Sequence, residues 1–524
     1  MRVERLRERL HSYVQARAWD AAELTLTRWL SEHPDDFEPA LHACQIRLRR
    51  GQYRAAFDAM ASAVQTRRCD PEQILDALLA LQELAAGALM PLLLDHCAEL
   101  ASIPTEDLAR SASVLLRFGL SDDASTLLQL ATQRAPEQPA VLLNQGFLHF
   151  YRGETARTEA VLERLIQGSQ DVAMAHWLLA RQRRQSRDVN HVARLRQRLS
   201  RPGLHPEDRA QLGFALFKEL DDLGETSLAW PELRAANALL AELRPYDPVA
   251  LSTSFERIKH AYADECVSDM QAPGGPTPIF IVGMHRSGTS LLEYLLSALP
   301  GVLACGETRR LQAAWAYAMD CPFAACFATD STFPSNGIDA SSGARHFFQL
   351  TPGLHAETCH VTEKWPLNFQ YIGLIRQLFP QAKVIHLCRE PMDLCFANFR
   401  ERLADNATHL NSFEALAHYH HAYRDLMAFW QRRYPGFVLD VHYEQLVQAP
   451  EAEMQRVADF CGLSAVAWDS SADPSQQVVA TPSAAQVRER VHAGSVGRWR
   501  PYAAQLAPLA QLLGLSAAVA SKDG

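Results

Sequence analysis

Two hydrophobic rhythms divide the chain. Up to about residue 235, apolar positions recur at helical spacing among Ala, Leu, Arg, Glu and Gln. Short polar breaks such as His33-Pro-Asp-Asp36, Arg50-Gly51, Cys69-Asp-Pro71 and Arg152-Gly153 interrupt them. Gly51, Gly119 and Gly153 stand 68 and 34 residues apart, both multiples of a helix–turn–helix repeat length. Ala18-Trp-Asp-Ala-Ala22 lies 34 residues before Gln52-Tyr-Arg-Ala-Ala56, pairing Trp19 with Tyr53 and Ala21 with Ala55. Small residues at such positions let the two helices of a pair approach closely. The register fades near 85 and 187. The pattern predicts an N-terminal all-α helical repeat solenoid, with a generic all-α domain as the alternative.

Beyond about 277 the rhythm changes. Short strand-like runs at 279–282, 301–305, 360–362, 382–388 and 437–442 alternate with helical segments at 369–379, 392–403 and 412–433. That alternation predicts a C-terminal α/β domain with a parallel sheet covered on both faces, whose ligands bind beyond the strands' carboxyl ends. The Pro/Gly-rich run 271–278 marks the boundary. The expected division is helical repeats over 1–235, a helical connection and linker over 236–276, the α/β domain over 277–515 and a tail over 516–524.

The first strand runs into Gly283-Met-His-Arg-Ser-Gly-Thr-Ser290, which fits G-x-x-x-x-G-x-[ST], the outline of a P-loop-like phosphate cradle. Backbone N–H groups converge on an anion there, and the following helix adds its positive end. Thr289 stands where nucleotide hydrolases carry the lysine that serves the β- and γ-phosphates, so the loop reads as holding phosphate without splitting a triphosphate. A net charge of −9 excludes a general nucleic-acid binder, so any anion site must be a local concentration of arginine and lysine. Eleven scattered cysteines without a C-x-x-C pair suggest reduced thiols, and no stretch is apolar enough to span a membrane. The expectation is a cytoplasmic protein.

Five segments, in order, resemble the sulfotransferase signatures: the loop 283–290, Cys305-Gly-Glu-Thr-Arg309, Glu363-Lys-Trp-Pro366, Val384-Ile-His-Leu-Cys-Arg-Glu-Pro391 and Ser495-Val-Gly-Arg-Trp499. The set is similar to bacterial proteins that join tetratricopeptide repeats to a sulfotransferase domain, and Gly306-Glu-Thr-Arg309 also resembles the tyrosylprotein sulfotransferases. The resemblance implies 3′-phosphoadenosine 5′-phosphosulfate (PAPS) as co-substrate, without a metal. It assigns Arg286, Ser287, Gly288, Thr289 and Ser290 to the 5′-phosphate and Arg389 to the 3′-phosphate. Tyr443 falls at the position that approaches the adenine. Thr481, Ser483 and Arg488 fall in the segment that folds over the nucleotide, and Ser495, Gly497 and Arg498 in the closing glycine motif. Two departures stand out: Ala397 where the family has a serine, with Asn398 beside it, and His492-Ala493 where cytosolic members have Arg-Lys.

By analogy with phosphoryl transfer, sulfuryl transfer depends on positioning and electrostatics. Glu307 is the candidate general base for the acceptor hydroxyl, and Lys364 the cation on the transferring group. Duller roles stay open: Glu307 as a helix cap, Lys364 as a solvated lysine, Arg389 paired with Glu390 or Asp393, and Arg309-Arg310 as surface cover. His285 reads as a loop histidine or a second base, and His418-Tyr-His-His421 as a packed face more than a metal site. The acceptor is a hydroxyl on a protein tyrosine, a sugar or a small molecule, with a peptide or protein partner selected by the repeats. The rivals are a non-catalytic repeat-based interaction module with a degenerate nucleotide-binding domain, and a kinase.

Overall fold

The computed structural model describes residues 2–168, 172–263, 274–323, 338–403, 407–463 and 492–515. Through Pro248–Ala263 the described elements are helical apart from one isolated bridge between Cys69 and Cys97. Neighbours in sequence pack as hairpins, among them Glu38–Arg49 with Tyr53–Thr66, Thr105–Arg117 with Ser121–Arg134, and Pro139–Arg152 with Thr155–Gln167. Gly51, Gly119 and Gly153 each sit in the tight turn of a hairpin with φ of 78°, 74° and 75°. Arg17 and Ala85 take the same left-handed conformation, both with φ 53°. Left-handed residues therefore recur at 17, 51, 85, 119 and 153, each 34 after the last. At two of the five the chain accepts this conformation without glycine, at a cost on the order of 1 kcal/mol each. The backbone thus holds the period at 85, where the side-chain register fades.

The C-terminal region is built on a five-stranded parallel sheet of order β2-β3-β1-β4-β5. The strands are β1 (Thr277–Gly283), β2 (Val302–Leu303), β3 (His360–Glu363), β4 (Lys383–Cys388) and β5 (Val438–His442). Ile279 to Val282 are all fully buried, as expected of a central strand covered on both faces. On one face Ile279, Ile281, Ile385, Leu387 and Val441 pack against the helices Thr289–Ser297 and Pro450–Cys461. On the other, Phe280, Val282 and Val384 join Phe347, Phe369, Phe379 and Trp430 in a core continuous with Phe214, Phe217, Trp230, Phe255 and Tyr262 of the helical region. Contact is close there: a Cβ at Gly373 would lie 2.5 Å from the Tyr262 ring.

A second junction joins Tyr53–Thr66 to Arg310–Met319. Arg54 donates to the Tyr317 and Ala318 carbonyls at 2.6 and 2.7 Å, and Tyr317 stacks on His346 with centroids 4.2 Å apart.

The strand-like runs all become strands: those at 279–282 and 360–362 extend to Thr277–Gly283 and His360–Glu363, and the other three are shortened. The helix expected over 369–379 is instead a 3-10 turn, Pro366–Tyr371, followed by Ile372–Leu378, and that expected over 392–403 stops at Phe399. The expectation of reduced thiols throughout is corrected at Cys321, which is disulfide-bonded, while the eight other cysteines among the described residues are free. Residues 264–273 of the expected connection and linker and the whole expected tail, 516–524, lie outside the described residues.

Candidate active site

The strand β1 delivers the chain into the loop, and two glycines shape it. Gly283 has φ 156° and Gly288 φ 107°. A Cβ at Gly283 would lie 2.8 Å from Ser287 Oγ and 2.9 Å from the Leu387 carbonyl, and one at Gly288 would lie 2.5 Å from the Tyr443 ring. Both glycines are demanded by space as well as by conformation. Arg286 takes φ 66°, a left-handed non-glycine residue inside the loop. The helix Thr289–Ser297 starts immediately after Gly288, so its first amides face the loop's concavity. Ser287 is fully buried and its Oγ has no hydrogen-bond partner among the described residues.

Arg389 follows β4 and closes the loop from the neighbouring strand end. Its Nη1 donates to the Arg286 carbonyl at 2.9 Å, its Nη2 to the Ser495 carbonyl at 2.6 Å, and its Nε is buried without a partner. Its guanidinium lies 4.6 Å from the centre of the Tyr443 ring. None of the ion pairs among the described residues involves Arg389, so the alternative of a structural pair with Glu390 or Asp393 does not form. Those carboxylates have other work: Glu390 caps the helix Pro391–Phe399 through the Asp393 amide at 2.7 Å, and Asp393 accepts from the Gly497 amide at 2.6 Å. Gly497, with φ 73°, thereby brings the C-terminal segment over the loop.

Asn398 is buried and gives its amide to the His285 carbonyl at 2.7 Å, so it holds the loop from behind. Arg498 points elsewhere, to Asp221 of the helical region at 3.3 Å. Arg286 is buried, and burial followed by the charges of Arg181, Arg389 and Arg400 pushes its pKa down to about 9. Thr481, Ser483 and Arg488 lie outside the described residues.

Across the cleft, Lys364 Nζ lies 2.5 Å from Glu307 Oε1; the lysine side chain is fully buried and the glutamate 40% exposed. The reading of Lys364 as a solvated lysine is therefore wrong. The backbone fixes the pair, since the Lys364 amide donates to the Gly306 carbonyl at 3.1 Å. Glu293, from the helix after the loop, accepts from the Gly306 amide at 2.9 Å and from Thr362 Oγ1 at 2.6 Å. This buried carboxylate ties the cradle to the Glu307 segment, a role that its place in an apolar helical run gives no hint of.

Arg309 and Arg310 separate. Arg309 stays exposed with its guanidinium 5.0 Å from the centre of the Trp365 ring, whereas Arg310 enters the core to meet Glu363 and the Thr362 carbonyl. Burial pushes the Glu363 carboxyl up to about 7 against the pull of Arg310 and Thr308.

One group of the helical region responds to the charge of Glu307. Burial and the negative charge of Glu307 hold the Tyr151 phenol above its usual pKa. Burial pushes His285 down, opposed by Glu307. Proximity in the fold, invisible to sequence spacing, brings Tyr151 here.

The 418–421 cluster packs as a structural face: His418 meets Tyr246 Oη at 2.7 Å and Ser252 Oγ at 3.1 Å, and His421 meets the Leu512 carbonyl at 3.0 Å. His386, Cys388 and Asp440 place three potential metal ligands within 4.8 Å of one another. His386 is already bonded there to Asp440 at 2.8 Å and to the Tyr423 hydroxyl.

Residues 278–469 match the model of the Sulfotransferase family. They form a sulfotransferase-family domain. The chain is 26% identical over 423 residues to an uncharacterized protein of Aquifex aeolicus (strain VF5), covering 77% of this chain and 54% of that one. It is 26% identical over 192 residues to a putative protein-tyrosine sulfotransferase of Caenorhabditis briggsae, covering 35% of this chain and 65% of that one. Protein-tyrosine sulfotransferase 2 of Gallus gallus is 24% identical over 229 residues, covering 39% and 55%. The chain thus spans between about half and two thirds of the length of these curated relatives. Among solved structures, the sulfotransferase of Alicyclobacillus acidocaldarius aligns at 16% identity and a TM-score of 0.27, over 48% of this chain and 98% of that one. The sulfotransferase domain accounts for the C-terminal sheet, and no described helix is long and apolar enough to cross a membrane.

Proposed function

We propose that the chain is a PAPS-dependent sulfotransferase that moves a sulfuryl group to a hydroxyl acceptor. The observation that carries this reading is the charge arrangement at the loop. Arg389 is half-buried, with its guanidinium on two carbonyls and no carboxylate partner among the described residues, beside a lysine-free cradle whose Ser287 hydroxyl is also unpartnered among them. Such groups fit a phosphorylated ligand that completes their hydrogen bonds, as buried polar atoms require. Donor-binding roles then fall to Arg286, Ser287, Gly288, Thr289, Ser290, Arg389 and Ser495, with Tyr443 as an aromatic wall. Gly497 closes the segment, while Arg498, turned to Asp221, stays out of the donor set.

In the reaction the acceptor oxygen forms a bond to sulfur as the bond from sulfur to the 5′-phosphate oxygen breaks. Glu307 takes the hydroxyl proton. Lys364 gives one N–H to Glu307, which leaves two for the group in transit. Arg286 and the loop amides receive the charge that returns to the phosphate, and adenosine 3′,5′-bisphosphate leaves.

We propose further that the helical region is a tetratricopeptide-like solenoid which helps to present a peptide, protein or smaller acceptor. The 34-residue recurrence of left-handed turns and the nearness of Tyr151 to Glu307 support that part. Calorimetric titration with adenosine 3′,5′-bisphosphate tests the donor assignment: saturable binding is expected, and its absence would overturn the reading. PAPS-dependent release of the same nucleotide with tyrosyl peptides, sugars and phenols as acceptors tests turnover.

A further inference from the structure

Three side chains with different metal-binding chemistry converge on one face of the sheet. His386 and Cys388 alternate along β4, and Asp440 lies on β5 opposite His386 in the register. His386 Nδ1 stands 2.8 Å from Asp440 Oδ1 and 3.4 Å from Cys388 Sγ, and the three ligand atoms all lie within 4.8 Å of one another. In a tetrahedral zinc site, bonds of about 2.0–2.3 Å put neighbouring ligand atoms roughly 3.3–3.6 Å apart. Small side-chain rotations bring these three atoms to that spacing. A hydrogen bond between His386 and Asp440 would account for two of the residues. It gives no reason for the thiol to approach the same ring nitrogen.

The surroundings support a ligand set. Asp440 Oδ2 accepts from Gln431 Nε2 at 2.6 Å, which leaves Oδ1 to an ion. On the far side of the His386 ring, Nε2 meets the Tyr423 hydroxyl. Outer contacts of this kind fix the ring and aim its other nitrogen. Asp440 and Glu444 bring negative charge to Cys388, opposed by Arg424. The exposed His442 is the register partner of Cys388, so a second imidazole stands beside the cluster. The intervening residues Ile385, Leu387 and Val441 pack against the helix that begins at the anion cradle. His386, Cys388 and Asp440 therefore face the other way, towards the helix Phe413–Arg433.

We propose that His386 Nδ1, Cys388 Sγ and Asp440 Oδ1 bind a divalent cation of the zinc type, with His442 or a water in the fourth position. Zinc suits a mixed set of imidazole, thiolate and carboxylate. On binding, Cys388 gives its proton to solvent, and the ring proton of His386 resides on Nε2, donated to the Tyr423 oxygen. The ion clips the edge strand β5 to β4, one residue before Arg389 and three before Tyr443. It stiffens those strand ends without touching the reacting groups. The site stands on its own geometry and does not depend on the donor assignment.

The test uses the full chain, freed of metal by a chelator and titrated with Zn²⁺ in a calorimeter and with Co²⁺ in a spectrophotometer. One zinc ion per chain is expected to bind with a Kd of about 1 μM or tighter. Cobalt should give a thiolate charge-transfer band. Cys388→Ser should abolish that band, and Cys388→Ser and Asp440→Asn should each weaken zinc by at least about tenfold, since even outer-sphere partners are worth about 10–100-fold. Zinc should raise the melting temperature of the unmodified chain more than that of either variant. Absence of binding to the unmodified chain would overturn the proposal. So would a cobalt band or zinc affinity unchanged in Cys388→Ser, which would mark an adventitious ion on other thiols or histidines. If Cys388→Ser fails to fold, Asp440→Asn decides, and unchanged zinc affinity there overturns the site.

Discussion

Two ion pairs stand back to back on consecutive residues where β3 ends, Glu363 with Arg310 and Lys364 with Glu307. In the first, both side chains are sealed, at 0% and 1% exposure, and Arg310 also serves Thr351 Oγ1 and the Thr362 carbonyl. In the second, the cation is sealed and the carboxylate reaches solvent. Adjacent residues of a strand point to opposite sides, so one pair goes to the frame and the other to the cleft. The difference teaches which charge is free to act: a fully enclosed pair can only hold shape, whereas an exposed carboxylate on a buried ammonium can meet a ligand.

The comparison can be broken in several places. Arg310→Ala leaves Glu363 buried without its cation, so we expect a loss of about 3–5 kcal/mol in chemical denaturation. A change below about 1 kcal/mol would mean that the enclosed pair is not structural. Glu307→Gln should shift the balance, lowering turnover by about 10²–10⁴-fold while the amide keeps an acceptor for the buried Lys364 ammonium, so that it costs less in unfolding than Arg310→Ala. Arg389→Ala should weaken adenosine 3′,5′-bisphosphate by about 10–100-fold, the worth of hydrogen bonds to a charged group, with a melting profile that shifts little.

The smallest effect is one of pH. Glu363 holds its proton more tightly when folded, with a pKa of about 7 against 4.5 for the free side chain. Its contribution to stability is therefore fully present below about 4.5 and is lost as pH rises through about 7. Unfolding free energies measured across that window should fall more steeply with pH in the unmodified protein than in Glu363→Gln.

The cradle was legible in the sequence because its chemistry is local. An apolar strand, two glycines at fixed spacing and a helix start are consecutive, and they fold as the spacing predicts. The strand-end residues Glu307, Lys364 and Arg389 were legible for the same reason, since parallel strands deliver their ends to one edge. Glu293 was not, because it sits in an apolar helical run and acquires its role only when the Gly306 turn folds against it. Nor was Tyr151, whose phenol is biased by the charge of Glu307 far along the chain. Arg310 misled, since a second arginine beside an exposed one gives no sign of entering the core. In the helical region the period showed through glycines, and it was hidden at 17 and 85, where Arg17 and Ala85 adopt a glycine's conformation.

The absence of a side chain at Gly288 has a consequence for how this molecule can vary. Only hydrogen fits between the loop and the Tyr443 ring, so the two seats share one partition. A side chain at Gly288 would stay strained at φ 107° even beside a smaller ring, so this side of the partition is fixed. Drift in ligand preference must therefore come from the Tyr443 wall, and lineages that replace the glycine should be rare among functional descendants.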